Sequence, residues 1–149
     1  MAIVSKAAVQ KGLCDSSCCQ QILEILHHFG LPTDTQYSAN DLLDTLRAHA
    51  HECVGMAANM IGVNKRIIVF SVGPMIMTMI NPVIIKKSKE TYEADEGCLS
   101  LDGTRKVNRC QEIEVEYFDI KFKKHRQSYN GYVAQIIQHE IDHCDGIMI

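Results

Sequence analysis

Five residues near the end of the chain, His139-Glu140-Ile141-Asp142-His143, restrict its fold more than any other stretch. Two imidazoles four positions apart share one face of an α-helix, so both reach a single cation only if this segment is helical. Glu140, beside the first imidazole, is placed to take a proton from water at that cation. A helix that merely happens to hold two histidines is the bland alternative. A catalytic metal of this kind uses three protein ligands and keeps one position open. Six residues follow His143, so the third ligand is expected upstream. Cys98, within Glu96-Gly97-Cys98-Leu99-Ser100, is the best candidate. Gly97 permits close backbone approach, and a thiolate suits a soft divalent ion. A closed structural zinc site would need a fourth ligand, for which Cys144 is available. It lies only one residue beyond His143, about 100° round the helix axis, which disfavours that reading.

The rest of the composition sets bounds. At 149 residues the chain is expected to form one domain spanning 1–149. Hydrophobic residues make up 46% and charged residues 22%, with a net charge of -3, which argues for a folded chain and against a nucleic-acid footprint. The basic run Lys121, Lys123, Lys124 and Arg126 reads as a solvated hairpin edge. No apolar run is long enough to span a membrane, and Lys6 and Lys11 interrupt the region where a secretory signal would lie. The expected compartment is the cytoplasm. Seven cysteines cannot all pair within one chain. Cys14, Cys18 and Cys19 have no histidine or second cysteine pair nearby and read as incidental, while Cys53 and Cys110 read as small buried residues. His27, His28, His49 and His51 lack a cysteine or carboxylate at ligand spacing. Met75, Met77 and Met79 alternate as packing residues of a strand.

Periodicity predicts a helix over 17–29, carrying Ile22, Leu23, Ile25, Leu26 and Phe29 and stopped by Gly30 and Pro32. A second helix starts near Ser38 or Asn40 and presents Leu42, Leu43 and Leu46. Residues 55–62 read as a tight small-residue segment outside regular structure. Strands are expected at 66–72 and 75–85, with Pro82 marking an edge or a bulge. In 111–122, Ile113, Val115 and Tyr117 alternate with Glu112, Glu114 and Glu116, as in a half-buried antiparallel strand. Tyr129-Asn130-Gly131 marks a turn before a last helix at 132–144. Strands in the middle and helices at both ends make an α+β domain, its antiparallel or mixed strands set around the C-terminal helix.

Glu96-Gly97-Cys98-Leu99-Ser100 and Gln138-His139-Glu140-Ile141-Asp142-His143 together resemble the second and third motifs of the peptide deformylases. Gly55-Met56-Ala57-Ala58-Asn59-Met60-Ile61-Gly62 is similar to that family's first motif, a glycine and two alanines followed by a glutamine. The three occur in the family's order, and the resemblance covers residues 38–149. It implies a metal-dependent hydrolase that removes the formyl group from the N-terminal formylmethionine of nascent polypeptides. Cys98, His139 and His143 would hold one divalent metal, ferrous iron, with zinc, nickel or cobalt able to replace it. Glu140 would be the acid and base, and the Leu99 N–H would stabilise the oxyanion. Glu96 would pair with Arg109 or Arg105 to hold the cysteine loop. Val54 and Gly55 would line a groove where the substrate backbone adds as a strand, with Leu99, Tyr132 and Ile136 beside Val54 forming the methionine pocket. Met60 and Arg105 complete the substrate-binding set. The implied partners are formylmethionyl peptides, met near the ribosome by a monomer, with neither DNA nor membrane involved.

Three positions depart from the family pattern. Met60 stands where the family has its glutamine, whose amide is the second oxyanion donor, and a thioether donates nothing. Asn59, its neighbour, points the other way in an extended segment. Cys53 replaces the first glycine of the motif, and Asp102 stands where proline often follows the cysteine loop. Residues 1–37 do not show the family's usual opening. The second reading is therefore a weak or inactive deformylase-like protein that binds formyl- or methionine-ended peptides.

Overall fold

The run Ile67-Ile68-Val69-Phe70 offers solvent no polar side chain, and all four residues are buried. Side chains alternate between the two faces of a strand, so such a run needs cover on both. The computed structural model describes residues 21, 25, 34–99 and 101–149. The chain divides into two compact units, Met1–Ser38 and Ala39–Ile149, and the sheet and its hydrophobic clusters belong to the second. The helix expected over 17–29, apart from residues 21 and 25, lies outside the described residues, as do Cys14, Cys18, Cys19, His27 and His28.

In chain order the elements are α1 (Asp34–Ala48), β1 (Gly55–Ala57), a 3-10 turn (Ala58–Ile61), β2 (Ile67–Val72), β3 (Met75–Lys87), β4 (Thr91–Cys98), β5 (Leu101–Cys110), β6 (Glu112–Phe118), β7 (Lys124–Asn130) and α2 (Gly131–Cys144). Five strands form one sheet in the order β1-β2-β3-β6-β7, and β4 pairs with β5 in a separate hairpin. Every pairing is antiparallel. The fold is α+β, with its C-terminal helix against the sheet.

The alternation of β2 divides the core. Ile68 and Phe70 join Met79, Ile113, Val115, Tyr117 and Tyr129 in packing against Ala134, Ile137 and Ile141 of α2. Ile67 and Val69 face the other way, with Met56, Ala58 and Ile80 against Ala39, Leu42 and Leu46 of α1. In β6, Ile113, Val115 and Tyr117 are buried while the intervening glutamates face outward. Those glutamates meet the basic run: Glu114 pairs with Arg126 at 2.7 Å and Lys86 at 3.1 Å, and Glu116 with Lys124 at 2.7 Å. The run therefore edges a solvated hairpin.

Pro82 sits in an inner strand, which decides between its two expected roles. The β3–β6 register slips between Ile80 and Val83, so the missing N–H is absorbed in a bulge. Three expectations need correction. α1 begins at Asp34, ahead of Ser38, because nothing between Thr35 and Leu42 breaks a helix. Residues 55–62 are regular after all, a short strand followed by a 3-10 turn. Tyr129 and Asn130 end β7, and Gly131 carries the change of direction alone at φ 54°, a conformation glycine takes without strain. The β4–β5 hairpin had no prediction: β4 alternates, but its inward positions include the charged Glu96, and β5 is exposed over most of its length.

Phe70 is fully buried and meets Tyr129 edge to face at 6.5 Å. Phe70→Ala is expected to cost about 3–5 kcal/mol by leaving a cavity that the sheet cannot close. Urea unfolding at fixed metal loading measures this, and a loss below about 1 kcal/mol would show that the site collapses.

Candidate metal centre

Two walls build the site. One is α2, held at both ends. At its start the Gly131 N–H donates to Gln111 O at 3.0 Å. At its far end the Asn59 amide donates to His143 O at 2.8 Å. Between them Gln138 bridges to β5, accepting from Cys110 N and donating to Cys110 O, both at 3.0 Å. The other wall is the β4–β5 hairpin, whose register breaks between Gly97 and Cys98. That break places Cys98 against the helix.

The sulfur and imidazole donors of Cys98, His139 and His143 all lie within 4.8 Å of one another. Cys98 Sγ is 3.2 Å from His143 Nε2, which is 3.0 Å from His139 Nε2. The outer nitrogens fix the tautomers. His139 Nδ1 donates to Glu96 Oε2 at 2.9 Å, and His143 Nδ1 to Ile147 O at 3.2 Å. Each ring thus turns an Nε2 lone pair inward, as metal-ligating imidazoles do. Burial, then the neighbouring His139, depresses the pKa of His143 and favours that neutral form. Two inward lone pairs and a sulfur at such spacing repel one another unless a cation lies between them, and the set suits a divalent ion.

Glu96 is held from two sides. Arg109 Nε donates to Oε1 at 2.8 Å and its Nη2 to Oε2 at 2.7 Å, while Arg109 Nη1 reaches Asp142 at 2.5 Å. Burial alone would raise the Glu96 pKa, but hydrogen bonds from Arg109 and His139 outweigh it and hold the group at about 2. Arg105, the other arginine considered for this role, is exposed and lies outside the cavity lining, so the pairing with Glu96 falls to Arg109. A buried guanidinium needs its charge answered, and Asp142 provides a second carboxylate at position 109.

Glu140 has the opposite environment. It is 4% exposed, and its Oε2 has no hydrogen-bond partner among the described residues. Burial, then the negative Glu96, pushes its pKa up to about 8. Its carboxylate lies so near β1 that a Cβ on Gly55 would stand 2.6 Å from Oε1. Only glycine fits there.

A cavity of about 610 Å³ opens on these groups. Val54, Gly55, Met60, Leu99, Tyr132 and Ile136 all line it, together with Glu96, Cys98, His139, Glu140 and His143. Met60 lines the cavity and leans on the α1-side cluster. Cys53 is half-buried on the same wall, its thiol donating to Gly55 O at 2.6 Å. Asn59, committed to His143 O, is turned away from donating into the cavity. The sequence reading missed Gln138, Asp142, Tyr92 and Gln135. Asp142 lay in plain view between the two histidines, but its partner could not be read from spacing. His49 and His51 are exposed and meet Glu52, at 3.6 and 3.1 Å.

The sequence profile of polypeptide deformylase matches residues 16–149. A peptide deformylase of Clostridium beijerinckii is 61% identical over 110 residues, covering 74% of this chain and 80% of its own. Among solved structures, a Met-Ala-Ser-bound class I type b peptide deformylase from Acinetobacter baumannii aligns with TM-score 0.71 at 30% identity, covering 78% of this chain and 80% of that one. The Thermotoga maritima peptide deformylase aligns with TM-score 0.71 at 29% identity, covering 78% and 82%.

Arg109→Ala, which strands Glu96 and Asp142, is expected to cost about 3–5 kcal/mol, against no more than about 0.5 kcal/mol for the exposed Arg105→Ala. The Glu96 pKa is depressed on folding, so its contribution is complete above pH 4.5 and is lost as the pH falls towards about 2. Unfolding midpoints across that window should fall less steeply in Arg109→Ala. Equal losses from the two arginine variants would overturn the assignment of Arg109.

Proposed function

The chain belongs to the peptide deformylase family, and from that premise we propose how its cavity removes the formyl group from formylmethionyl peptides. The observation that carries the reading is Glu140, which lines the same cavity as the three converging donors and whose buried Oε2 has no hydrogen-bond partner among the described residues. A group kept so costly to bury is suited to holding a proton in transit.

The family is metal-dependent, and Cys98, His139 and His143 would hold the ion. Ferrous iron is the expected metal, with nickel, cobalt or zinc as substitutes. A divalent ion held by these three residues would supply Lewis acidity and make a nearby water easier to deprotonate. Glu140 accepts the proton of the attacking water at its carboxylate. As the C–N bond breaks it passes that proton to the leaving amine, so formate and a free N-terminus result. The Leu99 N–H donates to the oxygen that gains charge at the formyl carbon. β1 ends its sheet, so Val54 and Gly55 can receive an extended peptide as a further strand. The apolar sides of Val54, Leu99, Tyr132 and Ile136 take the methionine. The expected setting is a cytoplasmic monomer acting on nascent chains near the ribosome.

Met60 leaves the oxyanion with one fewer donor than the family pattern, which typically costs about a hundredfold or more in rate. Met60→Gln is expected to raise formate release at least about tenfold, and an unchanged rate would show that Met60 is not limiting. The first assay is formate release from a formyl-Met tripeptide by protein loaded anaerobically with ferrous iron or nickel, since a thiolate-ligated ferrous site oxidises readily. Glu140→Ala should keep one metal per chain and lose turnover, and Cys98→Ser should lose metal affinity. An active Glu140→Ala protein would sink the mechanism.

A further inference from the structure

The α2 face that carries the donors begins one turn earlier than the motif. Tyr132, Gln135, Ile136, His139, Glu140 and His143 all line the cavity, and they recur at the spacing of a single helical face. Within the apolar part of that face, beside Ile136, stands one amide. Gln135 is half-buried, and its Oε1 accepts a hydrogen bond from the Tyr92 hydroxyl of β4 at 3.0 Å. This bond occupies the oxygen and fixes the plane of the amide. The Nε2 hydrogens have no hydrogen-bond partner among the described residues. Glu96 of the same strand does the corresponding thing one turn on, bonding His139. Two β4 side chains therefore orient two cavity-lining residues of α2, one a candidate metal ligand and the other Gln135.

We propose that Gln135, held by Tyr92, is a specificity residue that gives the pocket for the first side chain a hydrogen-bond donor, favouring methionine over its all-carbon isostere and admitting methionine sulfoxide. The inference rests on the deformylase reading of the cavity. Gln135 precedes the first histidine by four residues, about 6 Å along the helix axis. An unbranched side chain that starts beside the donor set and runs along this face carries its δ atom towards the amide. In methionine that atom is sulfur, a weak acceptor, and in the sulfoxide it carries an oxygen that accepts strongly. Norleucine offers only a methylene and leaves the amide donor without a partner. A site built to hydrogen-bond its substrate rejects the analogue that cannot answer. The methionine side chain thus becomes more than a hydrophobic plug.

Three peptides of common sequence test this, beginning with formylmethionine, formylnorleucine and formylmethionine sulfoxide. Formate release is compared as kcat/KM for the metal-loaded wild type, Gln135→Leu and Tyr92→Phe. The wild type should favour methionine over norleucine by about tenfold, and the sulfoxide should lie within about tenfold of methionine. Gln135→Leu should bring norleucine to within about twofold of methionine and lower the sulfoxide at least about tenfold. Tyr92→Phe, which keeps the amide but releases it, should move both ratios the same way by less. Turnover of formylmethionine with ratios unchanged in Gln135→Leu overturns the proposal and leaves the deformylase reading standing. No formate from any peptide sinks that reading instead. Dissociation constants of the same peptides then decide the pocket, and equal methionine-to-norleucine ratios in wild type and Gln135→Leu overturn the proposal there too.

Discussion

Arg109 lies buried with a carboxylate on either side of its guanidinium, Glu96 from β4 and Asp142 from α2. A cation removed from water is tolerable only when its partners are held in place, and partners held in place are what a metal site requires. Glu96 spends one oxygen on two donors, Arg109 and His139, so the ion pair also sets the tautomer and tilt of an imidazole. The guanidinium thereby joins the hairpin that carries Cys98 to the helix that carries both histidines. These two walls share no strand pairing, and without this pair the thiolate and the imidazoles would have less reason to face one another.

The same negative charge works on the neighbouring side chain. Glu96 is kept ionised by Arg109, and together with burial it drives the Glu140 pKa up to about 8. Two carboxylates with environments pushed in opposite directions mark the division of labour in many acid–base sites. Here one is saturated with donors and stays fixed, while the other keeps an oxygen without a partner. Gly55 is the steric counterpart of that arrangement, since any side chain there would occupy the space that the Glu140 carboxylate uses.

Much of this was legible because it is written in short periods. The histidine pair, the β6 alternation and the β2 run each follow from spacing alone, and each has its expected form in the structure. The hairpin of β4 and β5 was not legible: it is covered on one side only in places, and Arg109, its most deeply buried charge, looks in sequence like any surface arginine. Choosing between Arg109 and Arg105 needed the position of Asp142, which lies 33 residues further along the chain from Arg109. Gln135 escaped for a related reason. A glutamine on a helix reads as solvated until a tyrosine from another element is seen to hold it.

Two of the three departures from the family pattern share one side of the cavity, while the third, Asp102, lies on β5 across from them. Cys53 and Met60 belong to the wall that continues into the α1-side core, where both pack against the second hydrophobic cluster. The α2 and β4–β5 walls carry the donor set, the buried Glu140 carboxylate and the buried ion pair. A side chain on the first wall can exchange polarity for packing without disturbing the ion pair, because no hydrogen bond of that pair reaches it. In the proposed mechanism, loss of an amide at position 60 would weaken charge stabilisation at the reacting oxygen and leave the proposed metal ligands and Glu140 as they are. The two functions can vary separately because different elements of the fold supply them.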